Sequence, residues 1–69
     1  MEMKRVSAGE LRGIGYDESN RLLRVEVGSR LMEYSGVSSE VWRRLSTAGS
    51  MWSYYRDNIE ENYPERIVR

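Results

Sequence analysis

Leu22-Leu23-Arg24-Val25-Glu26-Val27-Gly28-Ser29-Arg30-Leu31-Met32-Glu33-Tyr34 reads as two β-strands folded back on each other. From Leu22 to Val27 the residues alternate, which puts Leu23, Val25 and Val27 on one face. Gly28-Ser29 suits a two-residue type II′ turn, whose first position needs a left-handed backbone that glycine adopts without penalty. That turn sets Val27 opposite Arg30, Val25 opposite Met32 and Leu23 opposite Tyr34, all on the same face. On the other face it sets Arg24 across from Glu33, a favourable opposite-charge pair. A three-residue loop would place Met32 opposite Glu26 and mix the faces. Because a one-residue slip inverts every side chain, agreement on both faces selects the register.

Upstream, Asp17-Glu18-Ser19-Asn20 is a polar turn cluster in which Asn20 can take the left-handed conformation. Gly13 to Tyr16 alternates, with Ile14 and Tyr16 on one face. Ser7-Ala8-Gly9-Glu10 fits a capping box opening a single helical turn that presents Leu11. Downstream, Ser38 caps a helix whose first turn carries Glu40, with Val37 and Trp42 at the positions of a hydrophobic staple. Val41, Leu45 and Ala48 follow at helical spacing, while Arg43 and Arg44 turn outward. Gly49 is expected to end this helix and Ser50 to cap a second one, which runs to about Asn62 before Tyr63-Pro64. Trp52, Tyr55 and Ile59 share a face of the second helix. Strands followed by helices predict an α+β fold, an antiparallel β-meander of about three strands with two α-helices packed on one face. The expected core is Ile14, Tyr16, Leu23, Val25, Met32, Tyr34, Val41, Leu45, Tyr55 and Ile59.

The 69 residues read as one domain, 1–69, near the size where a core is only just sufficient. No apolar run approaches the ~20 residues that cross a bilayer. The stretch Met1 to Glu10 cannot serve as the apolar part of a signal peptide, so a cytoplasmic location is expected. The 11 basic and 11 acidic residues cancel, leaving no overall basic field to attract nucleic acid. Every basic residue except Lys4 is arginine, the side chain suited to planar hydrogen-bonded pairing.

With no histidine and no cysteine, the usual nucleophile–base pairs and zinc ligand sets are missing. Asp17/Glu18 and Glu60/Glu61 are adjacent carboxylates, and sequence neighbours diverge rather than face one substrate. Gly9, Gly13 and Gly15 lack the lysine and the strand–loop–helix order of a phosphate loop. The expectation is a non-enzyme without metal or cofactor. The candidate binding surface is Arg43, Arg44 and Arg56 with Tyr54 and Trp52, since arginine beside an exposed aromatic can hold phosphate and stack on a base. The plainer alternative has these arginines pairing with Glu40 or Asp57 while Tyr54 covers the seam between the helices.

Ile14-Gly15-Tyr16-Asp17, then Leu23-x-Val25-x-Val27, Tyr34 with Gly36-Val37, Ser50 with Tyr54-Tyr55, Ile59 and finally Tyr63 make an order that resembles the KTSC domain. The resemblance covers nearly the whole chain, from about Val6 to Tyr63. That family includes small domains at the C-terminus of some lysyl-tRNA synthetases and stand-alone bacterial proteins, so the resemblance implies an RNA- or tRNA-associated role. The chain departs from the family pattern at several positions. The central Y-x-Y is Met32-Glu33-Tyr34, and the hairpin loop is one residue shorter. Trp52 stands for a glycine, Arg56 for an asparagine, and Glu60 for a basic residue. Methionine replaces tyrosine readily in a core but not on a stacking platform, so the Y-x-Y positions read as structural.

Two functional expectations follow. The family setting and the arginines near Tyr54 point to a non-catalytic RNA- or tRNA-binding domain. Zero net charge, a marginal core and an excess of Trp and Tyr, with Trp42 and Trp52 foremost, point instead to a protein-interaction module, docking a partner or self-associating as a homo-oligomer.

Overall fold

The computed structural model describes residues 3–68. Chain order is β1 (Met3–Ala8), β2 (Leu11–Asp17), β3 (Leu22–Val27), β4 (Arg30–Ser35), α1 (Ser39–Ser46), α2 (Met51–Asn58) and β5 (Glu65–Ile67). The sheet is antiparallel, its spatial order β1-β2-β3-β4-β5, so it has five strands and not about three. Both unexpected strands lie at its edges. β1 carries Lys4 and Arg5 and buries no residue fully, and β5 is three exposed residues after Pro64. Neither shows the apolar alternation by which a half-buried strand is recognised.

The β3–β4 register is Leu23 with Tyr34, Arg24 with Glu33, Val25 with Met32 and Val27 with Arg30, around Gly28 at φ +60°. The β1–β2 connection repeats this turn. Ala8 pairs with Leu11, and Gly9 at φ +59° opens the two-residue loop Gly9-Glu10. The expected helical turn at Ser7–Glu10 is therefore a hairpin, because a glycine-first pair satisfies the right-handed twist of two strands. Between β2 and β3, the Asp17 carboxylate accepts from the Ser19 and Asn20 amides and from Asn20 Nδ2. The left-handed residue of that turn is Arg21 (φ +54°) rather than Asn20.

Ser38 Oγ accepts from the Val41 amide at 3.3 Å and Ser50 Oγ from the Ser53 amide at 3.4 Å, so both expected caps are in place. α1 ends before Gly49, which does not take a left-handed backbone. Thr47 and Ser46 hydroxyls donate to the Arg43 carbonyl, at 2.8 and 3.1 Å, and cover a terminal acceptor. α2 stops at Asn58, earlier than Asn62, and the Asn62 side-chain Nδ2 donates back to the Asn58 carbonyl at 2.9 Å.

The inward residues of the central strands meet both helices in one core: Leu11, Ile14, Leu23, Val25, Met32, Tyr34, Val37, Leu45, Tyr55 and Ile59. Leu11 and Val37 join the expected set, whereas Tyr16 and Val41 are only partly buried at its border. Each aliphatic side chain fully removed from water contributes about 1.5–3 kcal/mol before entropy is subtracted. Tyr16 stays at the rim because its hydroxyl donates to the Val37 carbonyl at 2.6 Å, and Trp42 stacks on its ring with centroids 5.7 Å apart.

Candidate functional site

Helix geometry sorts the aromatic residues of α2. Trp52 and Tyr55 are three positions apart and fall on neighbouring lines of one face, toward the sheet. Tyr55 is buried, and Trp52 stacks on it with centroids 5.7 Å apart and planes at 23°. Trp52 also lies against the β1–β2 turn. A Cβ added at Gly9 would stand 2.5 Å from Trp52 Cγ and 2.7 Å from Cδ1. Only glycine leaves room for the indole there.

Arg56, one turn after Trp52, places its guanidinium carbon 5.7 Å from the Trp52 ring centroid. Such a cation–π contact contributes about 0.5–1 kcal/mol at an exposed site. Tyr54 is two residues from both, roughly 200° round the helix, and packs partly buried against the core instead. Arg43 and Arg44 are exposed on α1, where Arg44 pairs with Glu40 at 3.3 Å. The five residues expected to form one surface thus divide between Trp52–Arg56 on one side of α2, Tyr54 on another, and Arg43 and Arg44 on α1.

Trp52, Tyr55 and Arg56 border an open cleft of about 730 Å³ between α2 and the hairpin ends. Half-buried Val27 is the accessible aliphatic in the lining, and besides Arg56 the charged lining is Glu10, Arg30, Glu60, Glu61 and Glu65. A shallower extension of about 410 Å³ adds Asp57. Carboxylates outnumber guanidiniums here, and none of the three ion pairs among the described residues uses Glu10, Arg30, Glu60, Glu61 or Asp57.

Behind the cleft wall, the Tyr55 and Tyr34 hydroxyls lie 2.5 Å apart, and the Tyr34 hydroxyl donates to Glu65 Oε2 at 2.9 Å. The chain joins α2, β4 and β5. Burial pushes both phenols above the ordinary tyrosine value, for Tyr34 with help from its hydrogen bonds to Tyr55 and Glu65. Both phenols thus stay protonated near neutrality as hydrogen-bond donors, and neither is primed as a base.

On the opposite sheet face, Glu33 is 5% exposed yet charged. It accepts from Arg24 of β3 at 2.7 Å and from Arg66 of β5 at 2.6 Å, a three-strand ladder. The Arg24 hydrogen bond, followed by that of Arg66, holds its carboxyl below the usual glutamate range. Among the described residues, no group of three or more acidic side chains is placed to hold a metal ion. No helix among them is long and apolar enough to cross a membrane.

The family model of the KTSC domain matches residues 7–63. The chain belongs to the KTSC domain family. The crystal structure of a KTSC domain protein from Yersinia pestis has the same fold, with a TM-score of 0.94 and 23% identity over 99% of this chain and 97% of that one. No curated protein matches the chain. Arg43, Arg44, Trp52, Tyr54 and Arg56 lie inside the matched KTSC segment. Glu65 and Arg66 lie beyond it, although they complete the Tyr34 hydrogen-bond chain and the Glu33 ladder.

Three cleft residues lie outside the surface expected from the sequence: Glu10 and Arg30 at the hairpin ends, and Glu65 returning beside them. The signal for the first was available, because Gly9-Glu10 obeys the same glycine-first rule as Gly28-Ser29. Nothing local marks the return of Glu65.

Proposed function

We propose that this KTSC domain is a non-catalytic protein-interaction module that docks a partner in the cleft over Trp52 and Tyr55. The observation that carries this reading is the cleft itself: an open groove with half-buried Trp52, stacked on the buried Tyr55, in its wall, rimmed by charged side chains that the domain leaves out of its own ion pairs. Trp, Tyr, Met and Arg are the residues enriched in protein interfaces, and those that dominate binding energy are aromatic or arginine anchors. The RNA-associated reading calls for arginines gathered on one surface. Here Arg24 and Arg66 are engaged by Glu33, Arg44 by Glu40, and Arg56 sits over Trp52 beside Asp57, Glu60 and Glu61.

Affinity capture of the full chain from its native organism tests the proposal through paired variants. A bound protein should be retained by an Arg43→Glu/Arg44→Glu variant and lost in Trp52→Leu and in Glu60→Gln/Glu61→Gln, each checked for folding by circular dichroism. RNA captured by the wild type and lost in the Arg43→Glu/Arg44→Glu variant would overturn it. Protein capture that ignores the cleft variants would do the same.

A further inference from the structure

The cleft also carries information about its occupant, if it is the docking site proposed above. Its rim places Glu10, Glu60, Glu61 and Glu65 against only Arg30 and Arg56, and its extension adds Asp57 to the acidic side. Its aromatic wall already holds a cation, the guanidinium of Arg56, 5.7 Å from the Trp52 centroid. That guanidinium is not ion-paired among the described residues, although Asp57, Glu60 and Glu61 border the same groove.

We infer that the partner presents a basic segment whose arginine or lysine takes the place of Arg56 on Trp52. A cation over an indole is attracted by the ring's quadrupole, and the surrounding carboxylates add charge complementarity and steer the encounter. The head of such a side chain would lie within reach of Glu60 and Glu61, which border the same groove. Arg56 is then an internal stand-in that keeps the indole covered when no partner is bound, and one that a better-placed cation displaces.

The test is a titration of the isotope-labelled 69-residue chain with three seven-residue peptides, Gly-Ser-Arg-Gly-Arg-Ser-Gly and its Gln-for-Arg and Glu-for-Arg counterparts, read at the indole N–H of Trp52. The arginine peptide should move the Trp52 signal at low salt, and raising the salt to about 0.3 M should weaken it, since exposed pairs are then screened. Glu60→Gln and Glu61→Gln should each weaken binding up to about fivefold, the range of an exposed ion pair. Arg56→Gln should strengthen binding about two- to fivefold by removing the competitor. Equal responses to all three peptides, or preference for the Glu or Gln peptide at Trp52, would overturn the basic partner while leaving the docking cleft standing. Shifts confined to Trp42, or no response to any peptide at Trp52, would likewise overturn the basic partner, and the docking cleft itself falls only if protein capture ignores Trp52→Leu.

Discussion

Trp52 lies so close to Gly9 that a Cβ there would stand 2.5 Å from its Cγ, which ties the wall of the cleft to the β1–β2 turn. The contact joins a helix to a hairpin whose turn also demands a left-handed residue. Gly9 and Gly28 have the same backbone, φ +59° and +60°, but an added Cβ at Gly28 meets nothing within 4 Å. Gly28→Ala should therefore cost only the left-handed penalty, about 1–2 kcal/mol. Gly9→Ala carries that penalty and must also push the indole aside, for a total of about 2–4 kcal/mol. Urea unfolding of the two variants checks this, and equal midpoints would show that Trp52 does not rest on the turn.

The Tyr34–Tyr55 hydroxyl pair predicts non-additive losses. Tyr34→Phe leaves the buried Tyr55 hydroxyl without its partner and should cost about 1–3 kcal/mol. Tyr55→Phe should cost less, about 1 kcal/mol, because Tyr34 keeps Glu65 as acceptor. A double-mutant cycle should return a coupling of at least ~0.5 kcal/mol. Because burial raises both phenols, their stabilisation is complete below the unfolded tyrosine value of about 10 and is lost as pH climbs above it. Stability of the double Phe variant should fall less steeply across that alkaline range.

Glu33 predicts the acid limb. Its carboxyl is held low by Arg24 and then Arg66, so its contribution is present above the unfolded glutamate value of about 4.3 and disappears as pH falls through the lower folded value. Glu33→Gln should cost about 1–2 kcal/mol at neutral pH, less than a fully buried pair, because Arg24 is 32% exposed and Arg66 74% exposed. Below pH 4 the gap between variant and wild type should narrow. A constant gap from pH 7 to pH 3 would show that the ladder is not carried by charge.

The central hairpin was legible because two independent faces, Leu23 with Tyr34 and Arg24 with Glu33, demand the same register. Both helix caps were legible for a similar reason, since a serine followed by an amphipathic run has one reading. β1 was not, because Ser7-Ala8-Gly9-Glu10 satisfies a capping box and a glycine-first hairpin equally well locally. The choice between them is tertiary: the turn is fixed by β2 pairing and by Trp52. β5 was not, because its three residues are all exposed and pair with a strand 33 positions away in the Glu33–Arg66 contact. For the site, Trp52 and Arg56 were legible as a pair one helical turn apart. Tyr54 leaves their face by the 100° step between successive helical residues and packs partly buried against the core, and Arg44 pairs with Glu40, as the plainer alternative had it. Glu10 and Glu65, which make the groove acidic, reach it from opposite ends of the chain.

Site-specific photocrosslinking in the native host addresses the docking cleft directly, with the crosslinker placed at Glu61 in one version of the full chain and at Arg44 in another. Protein adducts should form from position 61 and disappear in Trp52→Leu, with a crosslinked partner peptide containing arginine or lysine. RNA adducts from position 44, with none of protein from position 61, would contradict it.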